Sequence, residues 1–254
     1  MTKQRLRLIL NWGLILGVVA RDYLALVAGS KDPKVFSTDD AKALSSDYNP
    51  PGAPEQDALA AGCRMNLAVH NTANAVAKRA FLMRLDKIAA ARRAKKRVVV
   101  TDGGVGAGKI YAIENHSEAR QLMRDADAVW DSAGEQNSTE IPWVIQEARA
   151  RGIAVDVIYV LQAPDVSWER MLRRAARSGR VVDYRLHAES YADGARNFDA
   201  IQRHFEQDRD VTFTILDIRH VAGPSQDRED EVERQKFEWR RRIAKRRRVD
   251  KGSE

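Results

Sequence analysis

Cysteine is almost missing from this chain: Cys63 stands alone among 254 residues. No internal disulfide framework can form, which suits a reducing compartment and sets the expected location in the cytoplasm. His and Cys nowhere gather at metal-ligand spacing, so nothing points to a structural zinc. No Ser-His-Asp arrangement can be argued, and no Asn-Lys-x-Asp motif is present to specify a guanine base. Long apolar runs are scarce too. Leu8 to Ala20, preceded by Lys3, Arg5 and Arg7, has the length of a signal-peptide core. It contains Asn11 and Trp12, is closed by Arg21-Asp22, and is too short to span a bilayer. A core or partner-binding helix is the expected reading.

What is present is a globular composition: 44% hydrophobic and 31% charged residues. The net charge of +7 is unevenly spread, much of it in Trp239–Arg248. That basic run reads as a solvated tail; a nucleic-acid contact is the lesser alternative, because no recognition motif accompanies it.

The most informative stretch is Lys96–Lys109. The β-branched run Val98-Val99-Val100-Thr101 leads into Asp102-Gly103-Gly104-Val105-Gly106-Ala107-Gly108-Lys109. Gly103, Gly108 and Lys109 satisfy G-x-x-x-x-G-K, the spacing of a phosphate-binding P-loop. Glycines let the backbone wrap around phosphate oxygens, successive N–H groups point at the anion, and the lysine carries charge to the β- and γ-phosphates. Residues Gly103 to Ile110, with Gly104, Val105, Gly106 and Ala107 between, are the candidate nucleotide cradle. The Ser or Thr that normally follows the lysine to ligate Mg²⁺ is Ile110 here. The bland alternative is a glycine turn that binds nothing.

Around this loop the pattern alternates. Strands are expected at Val98–Thr101, Ala126–Asp131, Ile153–Leu161 and Val211–Leu216. Helices are expected at Lys109–Arg124, Thr139–Arg151 (closed by Gly152), Pro164–Arg177 and Leu186–Gln207. This rhythm predicts a P-loop NTPase-type three-layer α/β/α fold with a mainly parallel sheet. Ahead of it come a helix over Leu6–Ala28, a helix start at Ser37-Thr38-Asp39-Asp40 and a turn at Asn49–Pro54. A long helix over Glu55–Ala94 follows, with Gly62 as its possible interruption and Leu67, Ala77, Phe81, Leu82, Leu85 and Ile88 as its inward stripe. The expected division is an N-terminal helical appendage over 1–54, a kinase-like domain over 55–223, and a charged helix or tail over 224–254.

Three constellations carry candidate chemistry. Asp131, delivered by an apolar strand to its C-terminal end, is placed where α/β sheets bind ligands. It is a candidate Mg²⁺ ligand, directly or through water, or a base toward a substrate hydroxyl. Glu135, Asn137, Thr139 and Glu140 follow, placed to hold a polar substrate, or simply to cap a helix and complement its dipole. Arg173, Arg177 and Arg180 are spaced to share one side of a helix and its exit turn, as a phosphate-closing lid requires. An ordinary solvated basic face is the alternative.

Several of these blocks resemble the zeta-toxin family of P-loop kinases in a divergent form. The matching pieces are His70-Asn71-Thr72-Ala73, Thr101–Lys109, Trp130–Asn137, Trp168–Arg180 and Ser190–Phe198, spanning roughly residues 70 to 217. The resemblance implies ATP- or GTP-dependent phosphorylation of a hydroxyl, with Mg²⁺, on a nucleotide-sugar or nucleotide-like substrate. It implies that Lys109 holds the β/γ-phosphates and that the lid arginines are among Arg173, Arg174, Arg177 and Arg180. It brings in an antitoxin, or a larger phage or effector assembly, as a partner. Ile110 departs from the family pattern. So does the spacing: about twenty residues separate Lys109 from Asp131. The family's separate strand for a catalytic Asp has no counterpart in that interval, which leaves Asp131 as the candidate for that role.

Overall fold

A computed structural model describes residues 3–30, 33–92, 95–132, 137–178 and 182–221, with 234–235, 238–239 and 241. Most of the expected charged tail therefore lies outside the described residues. The chain divides into two compact units, Met1–Arg84 with Trp239–Glu254, and Leu85–Glu238. The Pro-rich turn at 49–54 lies within the first.

The first unit begins with α1 (Lys3–Ala28), β1 (Val35–Ser37) and α2 (Thr38–Lys42). Ser37 caps α2 as its sequence suggests, its hydroxyl accepting from the Asp40 amide at 3.1 Å. Tyr23, Phe36 and Phe81 pack edge to face, with centroids 6.1 and 5.5 Å apart. The expected helix over 55–94 is in fact two, α3 (Glu55–Met65) and α4 (His70–Ala90). The break falls at 66–69 rather than at Gly62, whose missing Cβ faces Tyr48 inside α3. Asn66 there accepts from the buried Lys42 ammonium at 2.8 Å. Of the expected stripe, Ala77, Phe81, Leu85 and Ile88 are buried, whereas Leu67 is exposed and Leu82 half-buried.

The second unit carries the alternating pattern. Its strands are β2 (Arg97–Gly103), β3 (Ala128–Asp131), β4 (Ala154–Leu161) and β5 (Val211–Asp217). They pair in the order β3-β2-β4-β5, every pair parallel. Central strands of a parallel sheet are covered on both faces and read as continuous apolar runs. Val98, Val99, Val100, Val155, Val157 and Ile158 accordingly have no exposed surface.

The helices are α5 (Lys109–Glu114), α6 (Ser117–Asp125), α7 (Asn137–Arg149), α8 (Pro164–Ser178), α9 (Tyr184–Ala192) and α10 (Gly194–Phe205). Helices lie on both sides of the sheet, as a three-layer α/β/α P-loop NTPase-like fold requires. Two helices expected as continuous are broken. Lys109–Arg124 divides at Asn115–His116, where the His116 imidazole caps α6 by accepting from the Ala119 amide at 3.3 Å. Leu186–Gln207 divides at Asp193–Gly194. Gly152 closes α7 with φ +67°, and Ile153 N–H donates back to Ala148 O at 3.0 Å.

The parallel pairing fixes where ligand chemistry can gather. Thr101 on β2 lies opposite Asp131 on β3, and Gly103 opposite Val160 on β4. The glycine loop and Asp131 thus share the C-terminal edge of the sheet, where such folds bind ligands. The other end is closed structurally. There Asp156, almost fully buried, accepts from the Arg97 guanidinium and the Thr212 hydroxyl.

Candidate nucleotide-binding site

Lys109 is the first residue of α5 and follows Gly108, which caps the helix in the left-handed conformation (φ +78°, ψ +35°). Its ammonium lies 3.1 Å from Asp131 Oδ1 and donates to the Ser132 carbonyl. Asp131 Oδ1 also accepts from the Thr101 hydroxyl at 2.8 Å. The Ser132 amide donates to Thr101 O at 2.9 Å, carrying the β2–β3 ladder one step past the strand. Thr101, Asp131, Ser132 and Lys109 thus form one connected polar group beside the loop. Asp131 is the more open member, with 39% of its side chain exposed against 19% for Lys109.

Each loop glycine has a packing reason for being glycine. At Gly103 (φ +150°) a Cβ would lie 2.6 Å from Val160 O, and at Gly104 2.4 Å from the Tyr191 ring. At Gly106 (φ +82°) it would meet Ser167 O and Met171 Cγ, both at 2.9 Å. At Gly108 it would lie 2.9 Å from Arg170 Nη1. The loop is therefore sheathed by β4, α8 and α9. A further tie comes from α9: the Val105 amide donates to the buried Ser190 hydroxyl at 3.1 Å, and that hydroxyl donates to His187 O at 2.7 Å.

Aromatic rings continue this contact outward, from Tyr191 through His187 and Trp168 to the exposed Tyr184, with centroids 4.9 to 5.2 Å apart. Burial raises the Tyr191 hydroxyl to about 12 and lowers His187 below its ordinary value. Burial also raises Tyr159, the nearby Asp102 charge adding to the effect.

The other expected site residues are distributed unevenly. Ile110 is 47% exposed at the position after the lysine. Thr139 is exposed on the first turn of α7. Glu140 is turned inward, 4% exposed, accepting from Ser132 Oγ at 3.0 Å and Trp130 Nε1 at 3.3 Å. Arg173 is exposed and faces Glu169 at 3.9 Å, one turn back along α8. Glu135, Arg180 and the side chains of Asn137 and Arg177 lie outside the described residues. The α8 arginine that reaches the loop is Arg170, 9% exposed. Sequence spacing favoured its neighbours, and no sequence signal sets Arg170 apart.

Part of the chain is similar to a known family. The zeta toxin family model matches residues 116–234. Over that span the chain is similar to the zeta toxin family of P-loop kinases. The matched span holds β3 with Asp131, α7, β4, α8, α9, α10 and β5, and begins just after the glycine loop and α5. A search of the curated proteins found no matching relative. This similarity suggests a P-loop kinase-like nucleotide-binding protein. Among the described residues, no helix is long and apolar enough to cross a membrane.

The residues present fit a polyphosphate. They supply a glycine-formed loop, the Lys109 ammonium beside it, and the Arg170 guanidinium at its far end. Helix α5 runs six residues, so the Lys109 and Arg170 side chains, rather than a long helix dipole, supply the positive charge. Among the described residues, the Asp131 carboxylate beside Lys109 could hold Mg²⁺. One carboxylate is an ordinary protein share for this ion, which takes its other ligands from substrate phosphates and water.

Proposed function

We propose that this chain is an ATP-dependent small-molecule kinase of zeta-toxin type, transferring phosphate to a hydroxyl of a nucleotide-sugar or nucleotide-like substrate. The observation that carries this reading is the contact of Lys109 with Asp131 at the strand ends flanking the glycine loop. A lysine held there by a carboxylate and a carbonyl is poised to exchange the carboxylate for β- and γ-phosphate oxygens while the Ser132 carbonyl keeps it in place. That exchange frees Asp131 either to accept the proton of the attacking hydroxyl or to hold Mg²⁺, while Thr101 keeps that carboxylate oriented. Arg170 neutralises charge on the phosphates from the α8 side, and an ion such as Mg²⁺ would neutralise it from the Asp131 side. Phosphoryl transfer asks little more than such positioning and charge stabilisation.

The test is nucleotide consumption in the presence of nucleotide-sugar and nucleotide pools. Wild type transfers label from [γ-³²P]ATP to an acceptor, and Lys109→Ala does not. No transfer by wild type with any acceptor pool would end the kinase reading.

Ile110 favours a second reading, a nucleotide-binding module without catalysis, because a half-exposed isoleucine offers no oxygen where a metal-binding hydroxyl usually stands. ATP binding that ignores Mg²⁺, with no turnover, would select it.

A further inference from the structure

Glu140, near the start of α7, reads from the sequence as a substrate contact or a complement to the helix dipole. Its surroundings point elsewhere. A carboxylate 4% exposed must be hydrogen-bonded to be tolerated. Two donors to its Oε2 come from the end of β3, Ser132 Oγ at 3.0 Å and Trp130 Nε1 at 3.3 Å. Trp130 also packs edge to face on Trp143 of α7, with centroids 5.4 Å apart. Helix α7 therefore grips the end of β3 through two side chains one turn apart. Ser132 is held from both sides, its hydroxyl by Glu140 and its amide by the Thr101 carbonyl. Its own carbonyl is the one that Lys109 uses.

We infer that Glu140 is a positioning residue for Lys109: it fixes Ser132 so that the Ser132 carbonyl and Asp131 make a defined seat for the lysine ammonium. The inference rests on the nucleotide-binding reading for its consequence, but the seat itself exists without nucleotide. A seat of this kind matters because a lysine stem has four rotatable bonds, and ordering it in advance lowers the cost of engaging phosphate.

The experiment uses the full chain. Glu140→Ala, Glu140→Gln and Ser132→Ala are each combined with Lys109 and with Lys109→Ala. Two quantities are read: the ATP dissociation constant by calorimetry, and the acylation rate of Lys109 by acetic anhydride in nucleotide-free protein. Glu140→Ala weakens ATP binding about tenfold when Lys109 is present, the loss expected when a charge-assisted contact is misplaced. In the Lys109→Ala background the same change has less than about a twofold effect, because the seat then has no occupant. Glu140→Gln keeps an acceptor oxygen for both donors and stays within about threefold of wild type. Lys109 acylation rises in Glu140→Ala and Ser132→Ala and is unchanged in Glu140→Gln.

An equal loss of ATP affinity in both backgrounds, or acylation indifferent to Glu140 and Ser132, overturns the inference. Should Glu140→Ala fail to fold, Ser132→Ala decides through the acylation rate. If instead Lys109→Ala binds ATP as tightly as wild type, the nucleotide reading fails, while the acylation comparison still judges the seat.

Discussion

Three glycines separate the two costs that shape the loop, and alanine at each gives a graded result. Gly152 has φ +67° and no atom within 4 Å of a built Cβ. Gly152→Ala therefore carries only the left-handed backbone penalty, about 1–2 kcal/mol. Gly104 is the opposite case. Its φ is not in the left-handed region, but its Cβ would lie 2.4 Å from Tyr191 Cε2 and Cζ. That half-buried ring packs on His187, so it shifts only by disturbing that contact. Overpacking of this kind costs about 1–3 kcal/mol. Gly106 combines both: φ +82°, with the immovable Ser167 carbonyl 2.9 Å away. Gly106→Ala should cost about 2–5 kcal/mol, the sum of the two terms.

Urea unfolding followed by tryptophan fluorescence measures each value. The order Gly152→Ala, Gly104→Ala, Gly106→Ala is the expected ranking. Tyr191→Ala removes the obstacle at 104 alone. In that background the cost of Gly104→Ala falls to within about 0.5 kcal/mol, while the cost of Gly106→Ala persists. A Gly104→Ala cost that does not change when Tyr191 is removed would refute the claim that α9 packs on the loop.

Two further outcomes follow from the same geometry. Burial holds His187 below its ordinary value of 6.5. The unfolded chain therefore takes up this proton first as the pH falls. Stability from neutral His187 is full above about pH 6.5 and is lost on the way down to its folded-state value. Urea midpoints should drop between about pH 7 and pH 5, and less steeply in His187→Gln. At the opposite end of the sheet, Asp156→Ala removes the acceptor of Arg97 and Thr212. It should cost about 1–3 kcal/mol, because Arg97 is solvated enough to survive alone. ATP affinity should stay within about twofold, which equilibrium titration checks.

Much of this architecture was legible before any coordinates. The apolar runs of β2 and β4 could be read because a sheet covered on both faces imposes no alternation. Asp131 could be read because it stands at the end of an apolar run, and Lys109 because the glycine spacing ends on it. The helix breaks were harder. Gly194 is a visible breaker, but the break after Glu114 depends on an imidazole acting as cap, an uncommon choice. The α3–α4 break coincides with a contact between Lys42 and Asn66, twenty-four positions apart, that no local pattern contains. The site shows the same limit. Spacing along α8 singled out Arg173 and passed over Arg170, which only the packing of α8 on Gly108 sets apart. Glu140 read as a helix-start acid near a substrate. Its inward turn depends on the indole and hydroxyl of β3, which periodicity cannot orient.

The central claim is that the glycine loop and Lys109 cradle the phosphates of a nucleotide. Calorimetric titration of ATP with Mg²⁺ into wild type and Lys109→Ala tests it most directly. The account predicts saturable one-site binding by wild type and affinity at least about tenfold weaker in the variant. Equal affinity in the two proteins, or no binding by wild type, would contradict it.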